Sequence, residues 1–81
     1  MANLEKYVII SMPDCVWCDR AKKLLEDDGS EYREFNLLEH QVLKDFFKAS
    51  GLKTVPQVFL KGSLIGGYTD LAQLLSIQSN F

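Results

Sequence analysis

The chain has 81 residues, of which 47% are hydrophobic and 25% charged, and nine basic and eleven acidic side chains give a formal net charge of −2. This length and composition predict a single small globular domain, residues 1–81. The slight excess of acid gives no electrostatic reason to expect nucleic-acid binding, and no apolar run approaches the length that spans a membrane.

The first half of the chain has the pattern of a strand, a helix and a second strand. The apolar, β-branched run KYVIIS predicts a buried strand from about Tyr7 to Ser11. Helical spacing of apolar residues extends from Val16 to about Asp28, and Gly29 is a typical helix stop. The run EYREFN predicts another strand. Strands joined in this way pair in parallel with a right-handed crossover.

The second half begins with a predicted helix from Glu39 to Ser50, which Gly51 ends. The run QVFLKGSLIGG predicts a hairpin of two short strands around a Lys61–Ser63 turn. Asp70 and Gln73 have the spacing of a capping box, so a third helix is expected to begin there. The predicted order is β-α-β-α-β-β-α.

The only two cysteines, Cys15 and Cys18, lie in the segment SMPDCVWCDRAKKLL. Cys15 falls at the predicted strand-to-helix turn, and Cys18 lies one turn inside the helix. Residues three apart on a helix are neighbours, with Cβ atoms about 5–6 Å apart, so a disulfide can form and open without unfolding the chain. The helix N-terminus favours a thiolate at Cys15 and lowers its pKa. Because the thiolate is the attacking species, Cys15 is the predicted nucleophile and Cys18 the resolving cysteine.

Other roles for the cysteine pair agree less well with the sequence. A zinc site usually needs four ligands, and His40 is the only further nitrogen or sulfur candidate, so no metal site is predicted. A structural bridge would close only a tiny loop and constrain the unfolded chain little. An inert buried pair stays open as an alternative, but the strand–turn–helix setting favours redox chemistry.

A second stretch, TVPQVFLKGSLIGGYTDL, resembles the second half of a glutaredoxin. That family has a T-V-P turn, a V-F strand, a G-G pair and an aspartate before the last helix. The first half is similar to the family as well, with C-x-x-C, an aromatic third residue at Trp17 and a basic helix after it. The corresponding positions in the second half are Thr54–Pro56, Val58–Phe59, Gly66–Gly67 and Asp70.

The resemblance implies a minimal thioredoxin-like α/β fold, in which a four-stranded mixed sheet has helices on both faces and the Val55–Pro56 bond is cis. It implies a dithiol thiol–disulfide oxidoreductase without a bound cofactor, for which glutathione is the co-substrate. Protein disulfides such as that of ribonucleotide reductase would be its clients. The apolar run near the N-terminus, Tyr7–Ile10, is too short for an export signal, so we expect a cytoplasmic protein. A monomer is expected.

By the same resemblance, glutathione would pair with the backbone of Val55 as a strand does. Its γ-glutamyl end would meet Thr69 and Asp70 at the start of the third helix. The glycine pair would allow close backbone approach, and Trp17 would border the groove. The implied glutathione site comprises Trp17, Thr54, Val55, Pro56, Gly67, Thr69 and Asp70.

Four positions depart from the family pattern. Met12 stands where many glutaredoxins have a lysine or arginine, Asp14 places an acid directly before the nucleophile, Val16 replaces a proline, and Leu43 replaces a glutamine. The lost basic residue normally supports the thiolate and the glycine carboxylate of glutathione. We therefore expect weaker glutathione binding with unchanged dithiol chemistry.

Two alternative functions stay open from the sequence. A glutaredoxin-like redoxin reduced by thioredoxin reductase lacks the glutathione-binding end, whereas Gly66–Asp70 is present here. A glutathione-dependent iron–sulfur carrier usually has one cysteine and a small, glycine-containing motif, which Cys18 and Trp17 do not fit.

Overall fold

The computed structural model describes residues 7–79. None of the helices within this range is both long and apolar enough to cross a membrane. The order of elements agrees with the prediction, except that a short 3₁₀ turn precedes the second helix. The elements are β1 (Tyr7–Ser11), α1 (Val16–Asp28), β2 (Tyr32–Asn36), the 3₁₀ turn (Leu37–Glu39), α2 (Gln41–Ser50), β3 (Gln57–Leu60), β4 (Ser63–Gly66) and α3 (Tyr68–Ser79).

The four strands form one mixed sheet with the order β2-β1-β3-β4. β1 pairs with β2 in parallel, from Tyr7 opposite Tyr32 to Ser11 opposite Asn36. β1 pairs antiparallel with β3, which in turn pairs antiparallel with β4. The expected parallel strand–helix–strand unit and the mixed four-stranded sheet are therefore confirmed.

The alternation of side chains along β1 separates two faces of the sheet. Tyr7 and Ile9 point into the main core, which is formed with α1 and α3. Val8 and Ile10 point to the other face, where they share a groove with Leu43 of α2. Helices thus cover both faces, as the resemblance implied. The buried residues of the main core are Tyr7, Ile9, Ala21, Leu25, Val58, Leu71 and Leu75.

Two predicted boundaries are wrong by a short distance. The second helix begins at Gln41 rather than Glu39, because Leu37–Glu39 forms the separate 3₁₀ turn and Asn36 caps it. The hairpin turn has two residues rather than three: Lys61 and Gly62 both have positive φ, 50° and 86°, and Ser63 already belongs to β4. Positive φ at both turn residues matches the right-handed twist of the flanking strands.

The predicted capping box at the third helix is also wrong. α3 begins at Tyr68, and the Gly67 carbonyl accepts the first helical hydrogen bond from the Leu71 N–H at 3.1 Å. Asp70 therefore lies inside the first turn, and its carboxylate accepts a hydrogen bond from the Gly67 N–H at 3.1 Å. Asp70 therefore occupies the N3 position of a capping box, where the side chain accepts from the N-cap N–H, and not the N-cap position.

Candidate active site

The two cysteines occupy unequal positions at the start of α1. Cys15 is the N-cap residue, with extended backbone angles of φ −112° and ψ 104°, and its Sγ accepts a hydrogen bond from the Cys18 N–H at 3.1 Å. A disulfide joins the two residues, whose Cα atoms are 5.2 Å apart. Cys15 is partly exposed, whereas Cys18 is only 1% exposed. An external molecule can therefore approach the sulfur of Cys15 but not that of Cys18.

The loop that leads into Cys15 follows the end of β1. Ser11 is buried, Met12 is half-buried, and Pro13 and Asp14 are exposed. Asp14 has a φ of 58°, in the left-handed region that aspartate and asparagine tolerate better than most residues. This turn brings an acidic residue directly beside Cys15 without burying its charge.

The loop between α2 and β3 lies across from Cys15. The Val55–Pro56 bond is cis, as the resemblance implied. The Val55 carbonyl oxygen is 3.9 Å from the Cys15 Sγ, and within residues 7–79 no group accepts a hydrogen bond from the Val55 N–H. An unpaired backbone N–H beside a reachable sulfur can bind an extended peptide as an added strand does.

Gln57 holds this loop in place, a role that was not predicted from the sequence. Its side chain is largely buried, and its Nε2 donates to the Thr54 carbonyl at 3.0 Å and to the Thr54 Oγ1 at 3.3 Å. A buried amide must find such partners. A signal in the sequence could have indicated this role, because Gln57 is a polar residue at the start of an otherwise apolar strand. A buried side chain of this kind needs hydrogen-bond partners.

A groove of about 540 Å³ extends from this loop to α3. We call it the α3 groove. It brings together all seven residues that the resemblance assigned to glutathione, and Leu52, Gln57, Leu64, Gly66 and Tyr68 also line it. Asp70 is the only charged residue among the described residues that line it. The seven are Trp17, Thr54, Val55, Pro56, Gly67, Thr69 and Asp70.

An aromatic pair forms one wall of the α3 groove. The rings of Trp17 on α1 and Tyr68 on α3 have centroids 5.1 Å apart, and the Arg20 guanidinium lies 4.6 Å from the Trp17 centroid. Trp17 is nonetheless about half exposed. The family motif predicts Trp17 at the groove, but no local sequence pattern indicates Tyr68, because its contact depends on how α1 and α3 pack together.

The backbone at Gly66 and Gly67 determines where the Asp70 carboxylate lies. Gly66 has a φ of 129°, and a Cβ atom at this position would clash with the Asp70 carboxylate. With the hydrogen bond from Gly67, this holds Asp70 at the groove edge beside the N-terminus of α3. A helix N-terminus attracts anions, whereas the Asp70 carboxylate attracts cations, so this end of the groove suits a ligand that carries both charges.

A polar network at the surface connects β1, β2 and α1. The Ser11 hydroxyl donates to Glu34 at 2.6 Å, and the Lys22 Nζ lies 3.0 Å from the same carboxylate. Burial alone would raise the pKa of Glu34, but these two hydrogen bonds and the Lys22 charge outweigh it and lower that pKa. The hydrogen bond to Glu34 in turn raises the pKa of Lys22. The network ties the end of β1 to the helix that carries both cysteines.

The sequence model of the glutaredoxin family matches residues 7–65, which include both cysteines and the Thr54–Pro56 turn. The chain belongs to the glutaredoxin family. It is 41% identical over 71 residues to human "Glutaredoxin-2, mitochondrial", an alignment that covers 83% of this chain and 43% of the relative. It is 37% identical over 75 residues to "Glutaredoxin 3" of Escherichia coli strain K12, which covers 91% of this chain and 87% of that one.

Solved structures of the family agree with this fold. The crystal structure of a buckwheat glutaredoxin–glutathione complex superposes with a TM-score of 0.77 at 27% identity and covers 90% of this chain and 70% of the buckwheat chain. This glutaredoxin-family chain spans less than half the length of the mammalian relatives it matches, and most of the length of the Escherichia coli relative.

Proposed function

We propose that the protein is a dithiol thiol–disulfide oxidoreductase that uses glutathione as its reductant. The observation that carries this proposal is the unequal cysteine pair. A reachable Cys15 at a helix N-terminus is bonded to a buried Cys18 and lies beside Val55, whose backbone N–H is unpaired within residues 7–79. A nucleophile, a resolving thiol and a peptide-binding edge are the parts that disulfide exchange needs.

Each turnover moves two electrons from the protein dithiol to the client. The Cys15 thiolate attacks one sulfur of the client disulfide, which forms a mixed disulfide and releases the other client sulfur as a thiol after it takes up a proton. The Cys18 thiol loses its proton and attacks the Cys15 Sγ. This step forms the Cys15–Cys18 disulfide and releases the second client thiol. Cys18 can act in this way because the backbone at the start of α1 holds the two residues at a spacing that allows the disulfide.

Glutathione closes the cycle. One glutathione thiolate attacks Cys15, which forms a mixed disulfide and frees the Cys18 thiol. A second glutathione attacks the glutathione sulfur of that mixed disulfide, which yields oxidised glutathione and the reduced protein. The α3 groove supports this assignment, because Asp70 and the N-terminus of α3 offer partners for the ammonium and carboxylate of a γ-glutamyl group. The buckwheat relative was crystallised with glutathione.

We place the protein in the cytoplasm, with protein disulfides such as that of ribonucleotide reductase among its clients. The support for both is the resemblance of the motifs and the chemistry of the pair. A dithiol of this kind delivers reducing equivalents where glutathione keeps thiols reduced.

Single-cysteine variants test the proposal. We expect Cys15→Ser to abolish all exchange. Cys18→Ser should still reduce glutathione mixed disulfides, because that step needs one nucleophile, but should no longer reduce protein disulfides. Trapping a client and identifying the cross-linked residue by mass spectrometry should give Cys15. A client trapped on Cys18 would reverse the two roles.

A second measurement tests the reductant. The oxidised protein is incubated with reduced glutathione and, separately, with thioredoxin reductase and NADPH. Reduction by glutathione alone agrees with the proposal. Reduction by thioredoxin reductase and not by glutathione would instead assign a redoxin role.

A further inference from the structure

A second groove reaches the same reactive edge from the side of α2. It has a volume of about 330 Å³ and shares Leu52, Thr54 and Val55 with the α3 groove. Its floor is apolar, with Phe47 buried and Met12 half-buried. Its charged side chains are Lys44, Lys48 and Lys53, and we therefore call it the lysine groove.

The path of the chain after α2 brings these lysines together. Lys44 and Lys48 are four residues apart and therefore lie on one side of the helix. After α2, Gly51 adopts a φ of 73°, its N–H donates to the Lys48 carbonyl at 3.4 Å, and the Leu52 N–H donates to the Phe47 carbonyl at 2.9 Å. This pair of bonds is the Schellman motif, which turns the chain back toward the helix. Lys53 consequently lines the same groove as the two lysines of α2.

The three lysines are an excess of positive charge on a chain that is acidic overall. On α1, Lys22 and Lys23 form ion pairs with acidic residues. Within residues 7–79, by contrast, no acidic side chain forms an ion pair with any lysine of the groove. The acid of α2, Asp45, does not line the groove and instead accepts a hydrogen bond from Gln41 at 3.0 Å. Lys48 has a helix end to stabilise, but Lys44 and Lys53 have no such role.

The two grooves therefore offer opposite charges on either side of Val55. The lysine groove presents three cations, and the α3 groove presents one carboxylate, that of Asp70. An extended peptide whose cysteine reaches Cys15 and whose backbone pairs at Val55 must place one flank in each groove. Apolar side chains suit the floor of the lysine groove, and acidic side chains suit its edge.

We infer that the lysine groove binds the client polypeptide, and that it selects disulfides with acidic and apolar residues on one flank of the reactive cysteine. The inference rests on the proposed oxidoreductase function and names the class of protein substrate for that site. The occupant is an extended segment of a client protein. Charge complementarity and the residues shared with the reactive edge both support it.

The test measures single turnovers of protein that has been reduced with dithiothreitol and desalted, so that glutathione is absent. The probes are nine-residue peptides with one central cysteine held in a mixed disulfide with 2-mercaptoethanol. In each peptide one flank varies and the other is neutral. The variable flank contains three glutamates and a leucine, three lysines and a leucine, or neutral residues only. Each charged flank is tested on the N-terminal side of the cysteine and, in a second peptide, on the C-terminal side. The second-order rate of peptide thiol release is followed by acid quench and chromatography.

We expect the acidic flank to react about three- to tenfold faster than the basic one, but only when it lies on one side of the cysteine, since two or three exposed charge pairs give effects of this size. Lys44→Gln/Lys48→Gln should remove most of this preference, which is measured within each variant as the ratio of the rates for the acidic and basic peptides. Lys44→Glu alone, which changes the charge of the groove by the same two units, should reduce the preference to a similar extent, and raised salt should weaken it. The matched control is Lys61→Gln, an exposed lysine in the β3–β4 turn away from the groove, which should keep the full preference.

Three results would overturn the inference while leaving the oxidoreductase function intact. The first is that acidic and basic peptides react at equal rates. The second is that acidic residues raise the rate equally on either side of the cysteine. The third is that the groove variants and Lys61→Gln change the preference for acidic peptides equally. Failure of the wild-type protein to reduce even the neutral peptide would reject the oxidoreductase function itself, and the inference with it. Circular dichroism of each variant establishes that it is folded.

Discussion

At the scale of single residues, the reactivity of Cys15 depends on opposing local charges. As N-cap of α1, its sulfur lies at the positive end of the helix and accepts the Cys18 N–H. Both favour a thiolate. Asp14 is adjacent and carries the same charge as that thiolate, and at Met12 there is no basic side chain to offset it. Because Asp14 is exposed, solvent screens much of this repulsion.

We expect Asp14→Asn to lower the pKa of the Cys15 thiol, because the substitution removes a like charge beside the thiolate. Asparagine tolerates the left-handed backbone at this position, so the turn should persist. Met12→Lys should lower the pKa further and tighten glutathione binding. Thiolate absorbance at 240 nm against pH, in the Cys18→Ser background, measures the change.

The matched control for this experiment is Asp27→Asn at the far end of α1, which alters net charge equally and should leave the Cys15 pKa unchanged. A pKa that does not fall in Asp14→Asn would show that the helix end and the hydrogen bond from Cys18 alone determine the reactivity of this thiol.

At the scale of elements, the N-terminus of α3 combines a structural and a proposed binding role in one side chain. The Asp70 carboxylate accepts the Gly67 N–H and so caps the helix, and it also faces the α3 groove. The two roles differ in chemistry. Capping needs an oxygen acceptor, whereas binding an ammonium group of glutathione needs negative charge as well.

Two substitutions separate these roles. Asp70→Asn keeps an acceptor for the Gly67 N–H, so we expect a loss of less than about 1 kcal/mol in the free energy of unfolding together with weaker glutathione binding. Asp70→Ala removes both functions and should cost about 0.5–2 kcal/mol. Urea unfolding and the KM for glutathione measure the two effects. Unchanged KM in Asp70→Asn would mean that the charge does not contact glutathione.

At the scale of the whole molecule, the main core is small, and polar contacts between α1 and the sheet add to its stability. The Ser11–Glu34–Lys22 network joins the central strand, an edge strand and the cysteine-bearing helix. Lys22 also lies 3.5 Å from Asp19, which extends the network toward the first turn of α1. The ionised form of Glu34 therefore strengthens the contacts between α1 and the first two strands.

This network predicts the shape of the acid stability curve. Because the pKa of folded Glu34 is lowered from its ordinary value of 4.5, its contribution to stability is present above pH 4.5 and is lost as pH falls through the lowered pKa. Glu34→Gln should destabilise the protein at neutral pH, and the difference from wild type should shrink in acid. Urea unfolding from pH 7 to pH 3 measures both curves.

An exposed acid outside the Ser11–Glu34–Lys22 network provides the control for the acid stability curve. Glu39→Gln, in the 3₁₀ turn, should follow the wild-type curve across the whole range. A constant difference between Glu34→Gln and wild type at every pH would mean that packing, rather than charge, accounts for the effect.

The sequence by itself determined the features that depend on neighbours along the chain. The strand at Tyr7–Ser11, the helix at Val16–Asp28 and the pairing of Cys15 with Cys18 were all predicted correctly. Each follows from local periodicity, from a helix stop or from spacing within one turn. The family motif added the cis bond at Pro56 and the seven residues that the α3 groove brings together.

Only the tertiary structure decided the features that depend on distant segments. Cys15 and Val55 are 40 positions apart in the sequence, Tyr68 meets Trp17 only because α1 and α3 pack on the same face of the sheet, and the lysine groove needs the turn after α2. The predicted start of α3 was wrong because an acidic residue near a helix N-terminus can be either the cap or a residue of the first turn. The sequence pattern does not distinguish these two positions for Asp70. Packing between elements decides such contacts, and no short stretch of sequence contains both partners.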